Sequence, residues 1–471
     1  MNTTDPIRAV AESLSRPGAL EEPAAEGGGA SATTPPAAPP AAAHTLGAGR
    51  SGAALALAVL ADREDDPALR RAAHGHLAAA VKSPGAMRGG GLFSGAAAIA
   101  FAARTMARRP GEYRTLLDGL APRVRQAAAG RVADLRADLA AGAGLRAHTF
   151  DTVSGAAGLG RLLLALEPDG PVLADLLAAL VALAEPTGGV LPRWWTAGGP
   201  GLPGAAPGFP RGHLNLGLAH GVPGPLALLA LARLRGVHVP GQDEAIEALA
   251  SWLAARRVPG PVAPVGSAPT DPASTDPAST ELDPTEPDPT GRGAAGGRPG
   301  VGGSWPMTLR VEDEEAGRLP ADQPTRAAWC YGTPGAARAL FLAGAARGRS
   351  DWRTTAVAAL TDTLRDPAGW NLQGPGLCHG TGGLLRIAQR MAEESGSAEL
   401  AAHLPALAAT VAGQLDTALG AGDPPGLLEG TAGAALALHA HACAPARTAA
   451  QASSAGTGDA AEEWDAFLLI R

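Results

Sequence analysis

The stretch "TRAAWCYGTPGAARALFLAG" (residues 325–344) places a cysteine two residues before a G-x-x-G turn and follows the turn with an apolar run. "GLCHGTGGLLRIA" (376–388) has the same build, with a Cys-His pair in that place. The pattern is an internal repeat, and a repeat decides the architecture before any local propensity does. Seven copies occur: "GAGRSGAALALAVL" (47–60), "LFSGAAAIAFAA" (92–103), "DTVSGAAGLGRLLLAL" (151–166), "LAHGVPGPLALLAL" (218–231), "WCYGTPGAARALFL" (329–342), "LCHGTGGLLRIA" (377–388) and "LEGTAGAALALHA" (428–440). Their first glycines are Gly49, Gly95, Gly155, Gly221, Gly332, Gly380 and Gly430; in the second copy Ala98 replaces the second glycine.

Each copy reads as a helix start. Thr333, Thr381 and Thr431 follow the first glycine, where a hydroxyl is expected to cap free N–H groups, and Pro334 suits a first helical turn. The glycines permit close backbone approach or unusual dihedrals. The runs that follow are apolar nearly all round, as in helices buried on several sides. Amphipathic stretches lie between the copies, such as "LADREDDPALRRAAHGHLAAAV" (60–81) and "DWRTTAVAALTDTLRD" (351–366). The unit is therefore an inner buried helix and an outer half-wet one. The predicted fold class is all-α: an α/α toroid, a double ring of about seven inner and seven outer helices. An open helical solenoid is the alternative.

Composition agrees. Of 471 residues, 46% are hydrophobic but only 3% aromatic, which favours helix over strand. A net charge of −7 without a basic stripe speaks against nucleic-acid binding. No long uncharged apolar run suits a membrane span and no signal peptide is evident, so a cytoplasmic location is expected. Three cysteines without regular short spacing form no disulfide framework. Residues 17–44 are rich in Pro, Ala and Gly, and 258–303 carry "TDPASTDPAST" and "DPTEPDPTGRGAAGGRPGVGG". Such composition predicts disorder. The expected organisation is an N-terminal segment (1–44), largely disordered after a short helix, and a toroid domain (45–471) containing a low-complexity insertion (258–303).

In a ring, equivalent repeat positions share one height. The residues before each G-x-x-G therefore gather at one end of the toroid. That brings together Cys330 and Cys378, each two residues before its glycine, with His379 and His220, each one residue before. Two thiolates and an imidazole suit zinc, and three protein ligands leave an open, catalytic position. Buried core thiols are the bland alternative. A Cys₂His zinc is formally neutral; an added thiol binds as thiolate and stays electron-rich, which favours thiol alkylation or addition. Cys443 lies on the seventh helix and is expected to pack in the core.

Taken together, "FDTVSGAAG", "NLGLAHGVPG", "RAAWCYGTPG", "LCHGTGG", "LLEGTAG" and the C-terminal "WDAFLLI" resemble the lanthionine synthetase C-like cyclases, over residues 45–471 apart from the insertion. The resemblance implies an α/α toroid with one zinc per chain, held by Cys330, Cys378 and His379. It implies addition of a peptide cysteine thiol to a dehydroalanine or dehydrobutyrine of the same peptide, closing a thioether ring. It carries Asp151, His220, Arg326, Trp329 and Tyr331 over as active-site residues. His220 is then the acid/base candidate, Asp151 its orienting partner, and Arg326 either a stabiliser of the enolate oxygen or a partner of Asp151. Residue by residue, the bland readings are a helix cap for Asp151, a core histidine for His220 and a structural ion pair for Arg326. His213 is expected to make a loop hydrogen bond, Trp194 and Trp195 to pack, and Glu429 to occupy the loop position equivalent to His220.

With no recognisable dehydratase part, the chain resembles the single-function cyclases of lanthipeptide pathways. The implied partners are a dehydrated precursor peptide and a separate dehydratase. Three rivals stand beside this reading: a relative that adds glutathione or another small thiol, a prenyltransferase on a zinc-thiolate toroid, and a helical-repeat peptide-binding scaffold without chemistry. The second needs a basic diphosphate-binding cluster, which the sequence does not display.

Overall fold

The structure is a computed structural model that describes residues 4–16, 20, 43–88, 90–200, 208–259, 303–319, 325–450 and 460–471. The expected insertion falls almost wholly on residues 260–302, outside the described residues, as does most of 17–44. The insertion's flanks meet: β2 (Val258–Pro259) pairs antiparallel with β3 (Gly303–Ser304).

The chain is an α/α toroid. Each G-x-x-G opens an inner helix: α2 (Arg50–Glu64), α4 (Gly95–Met106), α7 (Ala156–Leu166), α9 (Pro223–Leu234), α12 (Thr333–Arg347), α14 (Thr381–Ser395) and α16 (Thr431–Ala450). Each packs on the next, and α16 packs back on α2, so the ring closes. Their apolar circumference explains the closure. In α12 every residue from Thr333 to Gly344 is buried, because inner neighbours lie on two sides and an outer helix on a third. The outer layer is α3 (Pro67–Lys82), α5 (Arg114–Ala141), α8 (Pro171–Val181), α10 (Gln242–Ala255), α13 (Ser350–Arg365) and α15 (Ala398–Ala421).

The seventh outer place is taken by α1 (Thr4–Ser15), which packs on α2, α3, α15 and α16. Ile7, Val10, Ala11 and Leu14 form its buried stripe, and His76 Nε2 donates to the Leu14 carbonyl at 2.9 Å. A division at residue 44/45 thus cuts one helix away from the ring it completes. Two short helices, α6 (Ala147–Phe150) and α11 (Val311–Glu315), and the ladder of β1 (His213–Asn215) with β4 (Thr308–Arg310) lie outside the double ring.

The turns differ from expectation in one respect. Gly332 and Gly380 are themselves the N-caps, so Thr333 and Thr381 stand inside the first turn and do not cap. Thr333 Oγ1 instead accepts from the Trp305 N–H, and the Thr381 hydroxyl donates to Gln414. The second glycine has a steric reason. A Cβ at Gly52, Gly158, Gly335, Gly383 or Gly433 would lie 2.0–2.4 Å from the carbonyl oxygen six residues earlier, at Leu46, Thr152, Trp329, Leu377 and Leu427 respectively. The helix and its approach loop touch backbone to backbone, and only glycine fits.

Candidate metal centre and active site

The approach loops are tied around the mouth by backbone hydrogen bonds. Thr152 N–H donates to Ala219 O (3.0 Å), Ala219 to Cys330 (3.3 Å), Cys330 to Cys378 (3.1 Å) and Cys378 to Leu428 (2.9 Å). Leu428 N–H continues to Gly47 O (2.8 Å), and Leu46 to Phe93 O (3.0 Å). Between the second and third loops a side chain does the joining: Arg131 Nε donates to Gly90 O (3.0 Å) and Ser154 O (2.8 Å). This is where Ala98 interrupts the repeat.

The girdle sets Cys330 beside Cys378. With His379 they offer three donor atoms all within 4.8 Å of one another. Ligands of one tetrahedral zinc lie about 3.5–3.8 Å apart, so the set fits a metal after an adjustment of about 1 Å. Its electrostatics fit too. The hydrogen bond from Cys378, aided by the His379 and Arg326 charges, holds the Cys330 thiol well below the usual range against the pull of burial. The same hydrogen bond, burial and the Cys330 charge push Cys378 up. Two thiols this close resist double ionisation, and a bound cation removes that resistance.

Next to the thiols, His220 Nδ1 lies 2.7 Å from Asp151 Oδ2. A carboxylate only accepts, so Nδ1 carries the proton and Nε2 is left for exchange. Burial lowers the His220 pKa, but the Asp151 hydrogen bond and charge, with the Cys330 charge, outweigh it and raise the value above the ordinary one. The His220 side chain remains 40% exposed, open to a substrate, while Asp151 is buried. Asp151 serves as both loop brace and partner. Its Oδ1 accepts from the Ser154 and Gly155 N–H groups, each at 2.7 Å, and its Oδ2 holds His220. Arg326 is not among its partners.

Tyr331 is half-buried with its ring 6.3 Å from that of His220, and its hydroxyl accepts from Asn215 Nδ2 at 3.3 Å. Burial raises its pKa, opposed by the Asn215 hydrogen bond and assisted by the Cys330 charge. The Arg326 charge acts on both thiols and on His379. Its Nε is buried without a hydrogen-bond partner, and the residue lines a groove of about 470 Å³ with Trp370, Asp362 and Asp366. Trp329 is placed differently: it is fully buried beneath the loop, its indole N–H given to the Leu468 carbonyl at 2.8 Å. It packs behind Cys330 and has no surface for a substrate.

The remaining candidates separate. Glu429 is exposed, and its charge acts on Cys378 and His379. His213 is buried and bonded through Nδ1 to Gly198 O at 2.9 Å. Trp194 stacks edge-on against Trp252. Trp195 lines a cavity of about 630 Å³ with Val190 and Arg193. Cys443 sits 3.9 Å from His439 on α16 and does not belong to the metal-ligand group. Sequence reasoning passed over Asn215, although it stands in the quoted "NLGLAHG", and Arg131, which carries no repeat signal.

The class the fold and site define is a closed α/α toroid that carries a Cys-Cys-His group able to hold a metal beside an Asp-His pair. The family model for lanthionine synthetase C-like protein matches residues 40–260 and 302–447, and the chain belongs to that family. Among solved structures it is similar to a nisin cyclase, at TM-score 0.68 and 18% identity, covering 91% of this chain and 92% of that one; this likeness speaks to the fold. No curated protein sequence matches the chain.

Proposed function

We propose that this protein is a zinc-dependent lanthionine synthetase. It adds cysteine thiols of a dehydrated precursor peptide to dehydroalanine or dehydrobutyrine in the same peptide. The observation that carries the reading is the convergence of Cys330, Cys378 and His379 within 4.8 Å beside the 2.7 Å His220–Asp151 pair. Family membership supports the same reaction class.

Cys330, Cys378 and His379 would hold the zinc, which when bound supplies a lowered thiol pKa at its open position. The protein's own groups handle protons and position. His220 Nε2 takes the thiol proton, with Asp151 fixing the tautomer that makes this nitrogen basic. The sulfur then bonds to the alkene Cβ, and the π pair moves onto the α-carbon and its carbonyl. The Arg326 guanidinium opposes the charge that develops there. Protonation at Cα by His220 completes an addition that conserves mass. Tyr331, its hydroxyl held by Asn215, walls the same space. The groove beside Arg326 receives the flanking peptide. A separate dehydratase would supply the substrate.

The test is incubation of the zinc-loaded protein with a dehydrated peptide, with and without glutathione. Loss of free thiol at unchanged mass supports the cyclase. Mass gained only with glutathione assigns the small-thiol activity instead. Binding without thiol consumption assigns a scaffold.

A further inference from the structure

Residues 464–470 run inside the ring and are all buried. Arginines at one repeat position converge on this segment. Arg161, Arg338 and Arg386 each stand six residues after the first glycine of their turn, so they share a height on α7, α12 and α14. All are at most 1% exposed. Arg161 Nε donates to Arg471 O at 2.8 Å and Arg338 Nε to Ile470 O at 2.9 Å. Arg386 Nε meets Asp465 Oδ2 at 2.7 Å, an oxygen shared with Arg390. Charges buried this deeply must be paired: Asp465 of the segment pairs Arg386, Glu394 on α14 pairs Arg338, and Glu463, just before the segment, lies 3.7 Å from Arg161. Phe467 is fixed edge-on between Phe93 and Phe101, at centroid distances of 5.6 and 5.8 Å.

The segment's outward link is the Leu468 carbonyl, held by the Trp329 indole N–H at 2.8 Å. Trp329 is clamped on its other side as well, since its own carbonyl packs where a Cβ on Gly335 would come within 2.4 Å. Cys330 is the next residue. A rigid path therefore leads from the inner-ring arginines through 464–470 and Trp329 to a thiol of the metal centre.

We propose that residues 464–470 are a positioning strap of the metal centre, setting the place of the Cys330 sulfur through the Leu468–Trp329 hydrogen bond. This rests on the metal reading above. Contacts behind a ligand set where its donor atom sits, and their loss typically weakens metal binding about 10–100-fold. Linkage makes the effect reciprocal: if the strap favours the metal, the metal must stabilise the strap.

Two experiments on the full chain test this. In the wild type, zinc addition should slow hydrogen exchange across 464–470; exchange there indifferent to bound zinc overturns the proposal. Trp329→Phe removes the N–H but keeps a ring, and Arg338→Met loosens the strap without touching the loop. Both should hold zinc at least about ten-fold more weakly in chelator competition, with shifted thiolate-to-cobalt bands in the cobalt(II) protein. A purely structural role would lower thermal stability and leave the cobalt spectrum and competition midpoint of the folded protein unchanged, which also overturns the proposal. Wild-type protein that takes up neither metal defeats the metal reading itself, and the strap with it; metal uptake with indifferent variants defeats the strap alone.

Discussion

Gly383→Ala is the sharpest probe of how the fold builds the candidate metal centre. The added Cβ would lie 2.0 Å from the Leu377 carbonyl oxygen and 2.9 Å from its carbon. Ordinary contact requires that carbonyl to retreat by about 1 Å or more. Overpacking of this kind costs about 1–3 kcal/mol, offset by the roughly 0.5–1 kcal/mol that alanine gains over glycine in a helix. The net change runs from about zero to a loss of about 2.5 kcal/mol. The larger consequence is local: the displaced peptide leads directly into Cys378, whose N–H is bonded to Leu428 O and whose O accepts from Cys330. The displacement disturbs the backbone that supports the Cys378 ligand, so zinc affinity should fall by about 10–100-fold. Urea unfolding of the metal-free protein measures the first effect and chelator competition the second. Gly413→Ala is the matched control, the same change within α15 where an added methyl meets nothing; it should stabilise by about 0.5–1 kcal/mol. If Gly383→Ala matches Gly413→Ala in both assays, the close-approach account of the second glycine is wrong.

Other outcomes follow from the same geometry. His379→Ala should lose most bound zinc, whereas His220→Ala should keep it and lose cyclisation; metal analysis beside a thiol-consumption assay separates the two, and a metal-free His220 variant contradicts the assignment. Because the donors must be deprotonated, zinc affinity should fall as pH falls, read by competition at several pH values. With neutral His220 taking the thiol proton and its pKa raised, the acid limb of the rate profile should sit above about 6.5, and Asp151→Asn should move it down. Burial works against ionisation of Asp465, but the Arg386 and Arg390 charges outweigh it and depress its pKa. Its stabilisation is thus in place above about pH 3.9, the unfolded carboxylate value, and is lost only as pH falls through the lower folded value. Asp465→Asn, leaving two buried arginines, should cost about 3–5 kcal/mol at neutral pH and flatten the acid limb of the stability curve.

Much of this protein was legible in the chain itself, because the seven G-x-x-G turns are a periodic signal. Periodicity specified the inner helices, and the shared register of Cys330, Cys378 and His379 before their glycines put them at one mouth. What the turns could not convey is how the ring is closed and braced. The placing of α1 as the seventh outer helix, Arg131 across the seam between the second and third loops, and Trp329 turned inward to Leu468 all depend on contacts between residues far apart in sequence. Such contacts occur once each and leave no repeat to read. Their physical reason is satisfaction of buried polar groups, a condition met only when the whole ring is assembled.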